Sequence, residues 1–243
     1  MIKFLKKILI TIIVVLMTVA GVFVYQGYNM YETAINETSI SQMIEQIKKD
    51  TKNYTEIEDV PEDYINALVA VEDKRFYKHN GVDIISIGRA IIRDIRMMEL
   101  VEGGSTITQQ LAKNTYFTQK KEITRKIAEV FVAFEYEKEL SKEEILELYI
   151  NTCYYGDGYY SIADAAKGYF DTKVEDMNLY ECTLLVGIPN APSVYAPTKN
   201  PDLAKERQIQ VLNKMQDEGY ISEEEISKIK EEEYDYGREK QSS

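Results

Sequence analysis

The acidic residue with the most informative setting in this sequence is Glu72. Ile65 and Leu68 precede it and Phe76 follows it at steps of three and four residues, so a continuous helix would place Glu72 on an apolar stripe. A carboxylate there loses part of its hydration, which makes it a better proton acceptor near neutral pH. The pattern therefore indicates a general base, with a salt bridge at the rim of a helix as the alternative.

The neighbouring His79 is the only histidine of the chain. A lone histidine is more often a hydrogen-bonded structural residue than a catalyst. No serine, histidine and aspartate pattern indicates a hydrolase triad.

A glycine turn at residues 103–104 leads into a hydroxyl-rich helix start. Ser105 or Thr106 can cap this helix, and Gln109 stands three residues after Thr106, as in a capping box. Free N–H groups and the positive end of the helix dipole make such a start a potential anion site, to which Lys113 adds a charge. An ordinary capped helix is the alternative.

A second basic pattern follows at Arg125, Lys126 and Glu129. Arg125 and Glu129 are four residues apart and share a helix face. The basic pair could hold a phosphate, with bidentate donors from arginine, while Glu129 supplies a second carboxylate. A plain surface ion pair is the alternative interpretation.

The elements that must position these residues are predominantly helical. Capping signals at Thr124, Ser141, Asn200 and Ser222 predict further helices, and an apolar stretch runs over residues 82–98. No run of alternating strands is present, so the prediction is a mainly α protein with at most a small hairpin. The predicted organisation is a cytoplasmic stub at 1–7, a transmembrane anchor at 8–25, a stalk at 26–54, a catalytic domain at 55–220 and an acidic helix and tail at 221–243.

The anchor prediction depends on an uncharged run over residues 8–25, which is long enough to cross a bilayer. Lys3, Lys6 and Lys7 precede it, and the next positive charge is Lys48. The positive-inside rule then puts the N-terminus in the cytoplasm and the domain outside. A cleaved signal peptide is the alternative, and it leads to the same compartment.

The formal net charge of -12 argues against nucleic acid as a partner, because phosphate backbones need a basic surface. Cys153 and Cys182 have no metal-ligand spacing. They are interpreted as buried free thiols, with a single disulfide as the alternative.

Taken together, the order and spacing of four blocks resemble the family 51 glycosyltransferases, the peptidoglycan polymerases. The resemblance covers residues 55–220. The blocks are Glu72 and Asp73 with Phe76, His79 and Gly81; Gly104 to Gln110 with Lys113 and Asn114; Arg125 and Lys126 with Glu129; and Ile145 to Glu147 with Tyr149, Asn151 and Gly156. The family often has glycine where Ser161 stands, which concerns loop geometry.

The resemblance implies a lysozyme-like helical fold with a small membrane-associated lobe, which the stretch at 84–98 fits; a core helix is the alternative for that stretch. It implies that Glu72 deprotonates the acceptor hydroxyl and that Glu129 assists near the pyrophosphate. The implied substrate- and pyrophosphate-binding residues are Lys113, Arg125, Lys126, Ser105, Thr106, Gln110, Asn114, Phe76, His79 and Asp73.

The implied activity is polymerisation of lipid II by inverting transfer from a donor on undecaprenyl pyrophosphate, at the outer face of the cell membrane. A divalent cation such as Mg²⁺ near Glu129 is compatible with this chemistry, and no organic cofactor is expected. Other cell-wall synthesis or division proteins are candidate partners. Ser227 and Lys230 match a penicillin-binding Ser-x-x-Lys by chance, because no Lys-Thr-Gly follows, so no transpeptidase activity is expected.

Two other functions remain open from the sequence. A lysozyme-like or lytic enzyme that cleaves glycan would share the helices and the glutamate, but it would not need the basic residues. A non-catalytic membrane scaffold that binds cell-wall precursor would not need Glu72 and Glu129.

Overall fold

The computed structural model describes residues 2–97, 104–117 and 122–231, with side chains for 4–90, 104–117 and 122–231. Twelve α-helices and four 3-10 turns make up the regular structure of these ranges, in which no strand occurs. The mainly α prediction is confirmed, and the small hairpin that it allowed does not occur in these ranges.

The first helix, α1 (Ile2–Glu37), contains the predicted anchor and continues beyond it. By length and composition it could cross a membrane, and its most apolar part is not covered by the rest of the protein. The predicted stalk is helical as well, because α1 runs on to Glu37 and α2 (Ile40–Asp50) follows after a capping box at Ser39. The domain boundaries themselves stay a prediction.

Helix α3 (Glu62–Glu72) ends at Glu72 itself. The next helical turn, Phe76–Lys78, is a separate 3-10 helix. The expectation of one continuous stripe from Ile65 to Phe76 is therefore wrong. Asp73 leaves the helical conformation because its carboxylate accepts hydrogen bonds from elsewhere in the fold, including the Ile107 N–H at 3.1 Å.

Helix α4 (Ile84–Met97) begins behind Asp83, whose carboxylate accepts from the N–H groups of Ile85 and Ser86. Ile84 and Ile85 are exposed at its start. The side chains of residues 91–103 lie outside the described part of the chain, so the predicted apolar surface over residues 84–98 can be followed only over its first turns. The glycine turn at residue 103 is likewise outside it.

Capping explains how the central helices begin. Thr106 caps α5 (Ile107–Tyr116) with a capping box to Gln109, and Ser141 caps α7 (Lys142–Ile150) in the same way. Helix α6 (Ile123–Glu139) differs, since Glu122 precedes it and makes no capping hydrogen bond. The predicted cap at Thr124 is wrong, because that residue lies inside the helix.

Most of the remaining helices contribute buried apolar residues to the hydrophobic core. They are α8 (Ile162–Phe170), α9 (Leu179–Gly187), α10 (Pro192–Tyr195), α11 (Pro201–Asp217) and α12 (Glu223–Glu231), with 3-10 turns at Ile57–Asp59, Val174–Asp176 and Ile188–Asn190. The predicted starts at Asn200 and Ser222 are confirmed. Helix α9 is buried from Tyr180 to Gly187 and packs against α3 and α11. This arrangement holds the C-terminal end of α3 beside α11.

Cys153 and Cys182 are both buried and form no disulfide, so the interpretation as buried free thiols is confirmed. Burial raises the pKa of Cys153 to about 12. The thiol is therefore neutral at physiological pH and behaves as a small apolar side chain.

Candidate active site

An open cleft of about 610 Å³ lies at the C-terminal end of α3. One wall is formed by α5 and α6, and the opposite wall is formed by α11. The residues that line the first wall include Ser105, Gln109, Gln110, Lys113, Lys126 and Glu129; those of the second include Arg207, Gln210, Asn213, Lys214 and Asp217. Glu72 lies between the two walls.

The Glu72 side chain is 15% exposed and has two polar neighbours. Gln110 Nε2 donates to Glu72 Oε2 at 2.7 Å, and Tyr149 donates in turn to Gln110 Oε1 at 3.1 Å. Burial holds the pKa of Tyr149 well above its ordinary value, so its hydroxyl stays protonated. Because each partner fixes the next, this chain orients the carboxylate toward the cleft.

Arg207 is the second neighbour of Glu72, and sequence reasoning missed it. Its Nη2 lies 3.9 Å from Glu72 Oε1, and its Nη1 donates to Gln210 at 2.9 Å. Its Nε is buried and has no hydrogen-bond partner among the described residues. The signal was present in the sequence, because Arg207, Gln210, Lys214 and Asp217 follow one another at steps of three and four, which is one face of α11.

The cations of the first wall are held by Glu129, which is 1% exposed. Arg125 Nη1 contacts Glu129 Oε1, and Lys126 Nζ lies 2.9 Å from Glu129 Oε2. Lys126 also donates to Ser105 Oγ at 2.6 Å, which ties α6 to the start of α5. The carboxylate therefore fixes two positive groups beside the cleft.

Lys113 lies one turn after Gln110 and faces the same cleft. Its ammonium makes no ion pair with any residue of the described ranges. An ammonium group that is not paired with a protein carboxylate can form a charge-assisted hydrogen bond with an anionic ligand.

Both oxygens of Glu129 face cations, so the arrangement around this residue does not fit a bare divalent cation. Among the described residues, the carboxylates of Glu56, Glu58 and Glu147 do approach one another, but they lie elsewhere, and Lys48 pairs with Glu147 at 3.2 Å. The divalent cation near Glu129 stays a prediction, and no chemical step below depends on it.

Three predicted binding residues do not line the cleft. Phe76 is fully buried, and His79 Nε2 lies 2.9 Å from both carboxylate oxygens of Asp73. Asp73 also accepts from Ile107 N–H, so this group joins the end of α3 to the start of α5. These contacts support a positioning role, while direct binding by the three residues stays a prediction.

Thr106 and Asn114 are likewise placed away from the cleft lining. Thr106 is 2% exposed and donates to the Gly81 carbonyl at 2.6 Å. Gly81 has a φ of 78°, in the left-handed region that favours glycine. Asn114 approaches Cys153 Sγ at 3.8 Å and lines a separate groove with Thr152. Ligand contacts of Thr106 and Asn114 stay predictions.

The fourth block of the sequence supports the backbone before α3. Glu147 accepts from Tyr54 Oη at 2.7 Å and from Ile57 N–H at 3.1 Å. Asn151 exchanges hydrogen bonds with the backbone of Thr55 at 2.8 and 2.9 Å. This block therefore holds the segment that leads into the helix of Glu72.

Comparisons with known proteins place this chain in a family. A family model described as transglycosylase matches residues 37–216. Penicillin-binding protein 1F of Bacillus subtilis is 48% identical over 68% of this chain, and a protein of Cupriavidus necator predicted to be a transglycosylase is 44% identical over 71%. The chain spans 23% of the Bacillus protein and 74% of the Cupriavidus protein. A crystal structure of penicillin-binding protein 1A from Haemophilus influenzae aligns with a TM-score of 0.47 at 24% identity, over 76% of this chain and 18% of that one.

The family resemblance predicted from the four sequence blocks is thus confirmed. The matched range covers most of the chain. It includes all the cleft-lining residues named above except Asp217. The chain belongs to the transglycosylase family, the family 51 peptidoglycan glycosyltransferases.

Proposed function

We propose that this protein polymerises lipid II into glycan strands. The donor is a nascent glycan on undecaprenyl pyrophosphate, and the acceptor is the 4-hydroxyl of lipid II. The observation that carries the proposal is the position of Glu72, between a wall of cations and a second polar wall. A base next to fixed cations suits a reaction that removes a proton and expels an anion.

Glu72 removes the proton of the acceptor 4-hydroxyl in this reaction. The freed oxygen forms a bond to the anomeric carbon of the donor from the face opposite the pyrophosphate, which inverts that carbon. The bond from the anomeric carbon to the pyrophosphate oxygen breaks, and the electron pair leaves with the lipid pyrophosphate. The hydrogen bond from Gln110 holds the Glu72 carboxylate in place, and Arg207 Nη2 lies 3.9 Å from its other oxygen.

The cations of α5 and α6 stabilise the leaving group. Negative charge grows on the pyrophosphate as the glycosidic bond breaks, and Lys113 and Lys126, which line the cleft, stabilise it together with Arg125, which flanks the cleft beside Glu129. Preorganised charges of this kind act most strongly in the transition state. Glu129 serves by holding two of them in position.

The wall of α11 then receives the acceptor. If the pyrophosphate lies against α5 and α6, the attacking hydroxyl must approach the anomeric carbon from the opposite face, on the α11 side of the cleft and within reach of Glu72. Arg207 and Gln210 lie there, with polar groups suited to sugar hydroxyls. This division of the cleft follows from the in-line geometry of the displacement.

A lipid-linked substrate also accounts for the apolar helix α1. We propose a single-pass protein with a cytoplasmic N-terminus and an extracytoplasmic catalytic domain, in which the exposed Ile84 and Ile85 of α4 contact the membrane. Tethering raises the local concentration of enzyme and substrate. The predicted absence of transpeptidase activity and the further cell-wall protein partners stay predictions.

The proposal is tested with the purified full chain and labelled lipid II, with and without a transglycosylation inhibitor of the moenomycin type. Polymer should form only without the inhibitor. Glu72→Gln keeps the size and the hydrogen bond from Gln110 but removes the base, so turnover should fall by about 100-fold or more. Turnover of Glu72→Gln close to that of wild type contradicts the assigned role.

Glu218→Gln is the matched control, since Glu218 is also a partly exposed glutamate in an ion pair, with Lys74 at 2.6 Å. It does not line the cleft and should leave turnover unchanged. A glycan-cleaving enzyme would instead release reducing sugars from finished cell wall without making polymer from lipid II. Binding of lipid II without turnover by the wild type would indicate a scaffold.

A further inference from the structure

The anchor helix α1 touches the catalytic domain through a buried glycine. Gly27 is covered although the residues around it in α1 are mostly exposed. A Cβ atom at this position would lie 2.6 Å from Ile127 Cγ2 and 3.0 Å from the Thr124 carbonyl oxygen, closer than non-bonded atoms approach. The backbone of α1 can therefore lie against the first turn of α6 only because residue 27 has no side chain.

Aromatic side chains continue this contact along α6. The ring of Phe131 lies 5.4 Å from that of Tyr28 and 5.6 Å from that of Tyr31. Tyr31 Oη donates to Glu135 Oε1 at 3.2 Å. Burial and the nearby Glu135 raise the pKa of Tyr31 to about 12, so this hydroxyl remains a donor at physiological pH. The two helices are thus joined over several turns.

The contact matters because of what the first turns of α6 carry. Arg125, Lys126 and Glu129 alternate there with Thr124 and Ile127, which face α1. The N-cap residue of α6, Glu122, makes no capping hydrogen bond with its side chain. The first turn therefore depends on tertiary contacts for its position, and α1 provides one of them directly behind the cations.

We propose that Gly27 is a positioning residue for the glycosyl transfer: it lets α1 dock on α6 and so fixes the cations that receive the pyrophosphate. This inference rests on the function proposed above. It makes the anchor a supporting part of the active site as well as a tether. A displacement of the first turn of α6 would move charged groups whose effect depends on distance.

The test compares three full-length variants in detergent, where tethering to a bilayer plays no part. Gly27→Leu should lower kcat by about 10- to 100-fold with KM within about twofold, because the displaced cations act on the transition state. Gly27→Ala should have a smaller effect in the same direction, although alanine is the better helix former. Gly21→Leu is the matched control, since Gly21 has no neighbouring side chain or backbone within 4 Å, and it should behave as wild type.

A double-mutant cycle separates positioning from general damage. If Gly27 acts through α6, the effect of Gly27→Leu should shrink when Lys126 is already alanine, and it should add to that of Lys113→Ala on α5. Thermal unfolding midpoints show whether each variant folds. If Gly27→Leu does not fold, the kinetics of Gly27→Ala decide the outcome. Wild-type kinetics for both Gly27 variants, or equal additivity with Lys126→Ala and Lys113→Ala, overturns the inference. Absence of polymerisation by wild type and by Gly21→Leu would count against the proposed function instead.

Discussion

At the scale of single residues, Lys113 is the cation whose charge is most available to a ligand. It lines the cleft and makes no ion pair among the described residues, whereas Arg125 and Lys126 are shared with Glu129. Lys113→Ala should therefore lower kcat by about 100-fold or more, on the scale of a lost preorganised electrostatic group. Steady-state kinetics with labelled lipid II measures this effect.

Lys228→Ala is the control for Lys113→Ala. Lys228 is exposed on α12 and pairs with Glu224 at 2.8 Å, away from the cleft, so its loss should not change turnover. A change in KM alone for Lys113→Ala would indicate binding of the ground state and would contradict a role in the transition state.

Arg207 gives a second prediction at this scale. Its guanidinium lies near Glu72 and is held by Gln210, so both Arg207→Ala and Arg207→Lys should lower turnover, the former by about 100-fold or more. Lysine restores the charge but not the planar set of donors, so its activity should be intermediate. Full activity of Arg207→Lys would mean that charge alone is required.

The chemistry of individual residues was the most predictable part of the site. Glu72 and the basic residues are recognisable from type and spacing, and they do line or flank one cleft. Arg207 was missed because it follows Glu72 by more than a hundred residues, and only the packing of α3, α9 and α11 against one another brings the two together. The spacing of polar residues within α11 predicts a polar helix face, but it does not predict which residues of other elements that face contacts.

At the scale of elements, Asp83 links the turn after α3 to the start of α4. Its carboxylate is 2% exposed; burial alone would raise its pKa, but hydrogen bonds from Ser86 and Ile85 N–H and the charge of Arg75 lower it. Asp83→Asn keeps a capping side chain and removes the charge. The free energy of unfolding should fall by about 1–2 kcal/mol at pH 7.

The pH dependence of this loss follows from the direction of the pKa shift. A carboxyl group whose pKa is lowered by folding stabilises the protein above its unfolded pKa, and the contribution disappears as the pH falls through the folded value. Urea unfolding of wild type and Asp83→Asn should therefore differ at pH 7 and converge below about pH 4. Asp176→Asn, at an exposed aspartate, is the control, and a difference for Asp83→Asn that persists in acid contradicts the explanation.

Local sequence signals predicted most helix starts, including the capping boxes at Thr106 and Ser141. They failed at Thr124, because α6 begins one residue earlier, after Glu122, which makes no capping hydrogen bond, and its first turns contact α1. They also failed beyond Glu72, where the buried bonds of Asp73 end α3. Both failures have the same cause. A contact with an element that is distant in sequence decides where the helix begins or ends, and the local capping and periodicity signals do not contain that contact.

At the scale of the whole molecule, the proposed membrane topology makes the length of α1 the determinant of the distance between the membrane and the cleft. The predicted anchor ends at Tyr25, and the contact of Gly27 with α6 follows two residues later, about 3 Å along the helix. The first turn of α6, which carries Arg125 and Lys126, would therefore lie close to the membrane surface. In the proposed function, the pyrophosphate of a membrane-bound donor would lie at the same depth.

This geometry predicts the effect of lengthening α1. Seven helix-forming residues inserted between Tyr25 and Gly27 would raise the catalytic domain by about 10 Å while keeping nearly the same helix face toward α6. Polymerisation in proteoliposomes should fall by about tenfold or more, because the cations no longer reach the pyrophosphate of a membrane-bound donor. Activity in detergent should remain, since there the substrate is not held in a bilayer. The same insertion after Lys3 leaves the distance unchanged and should have no effect, so equal losses from both insertions would mean that α1 does not set the height of the cleft.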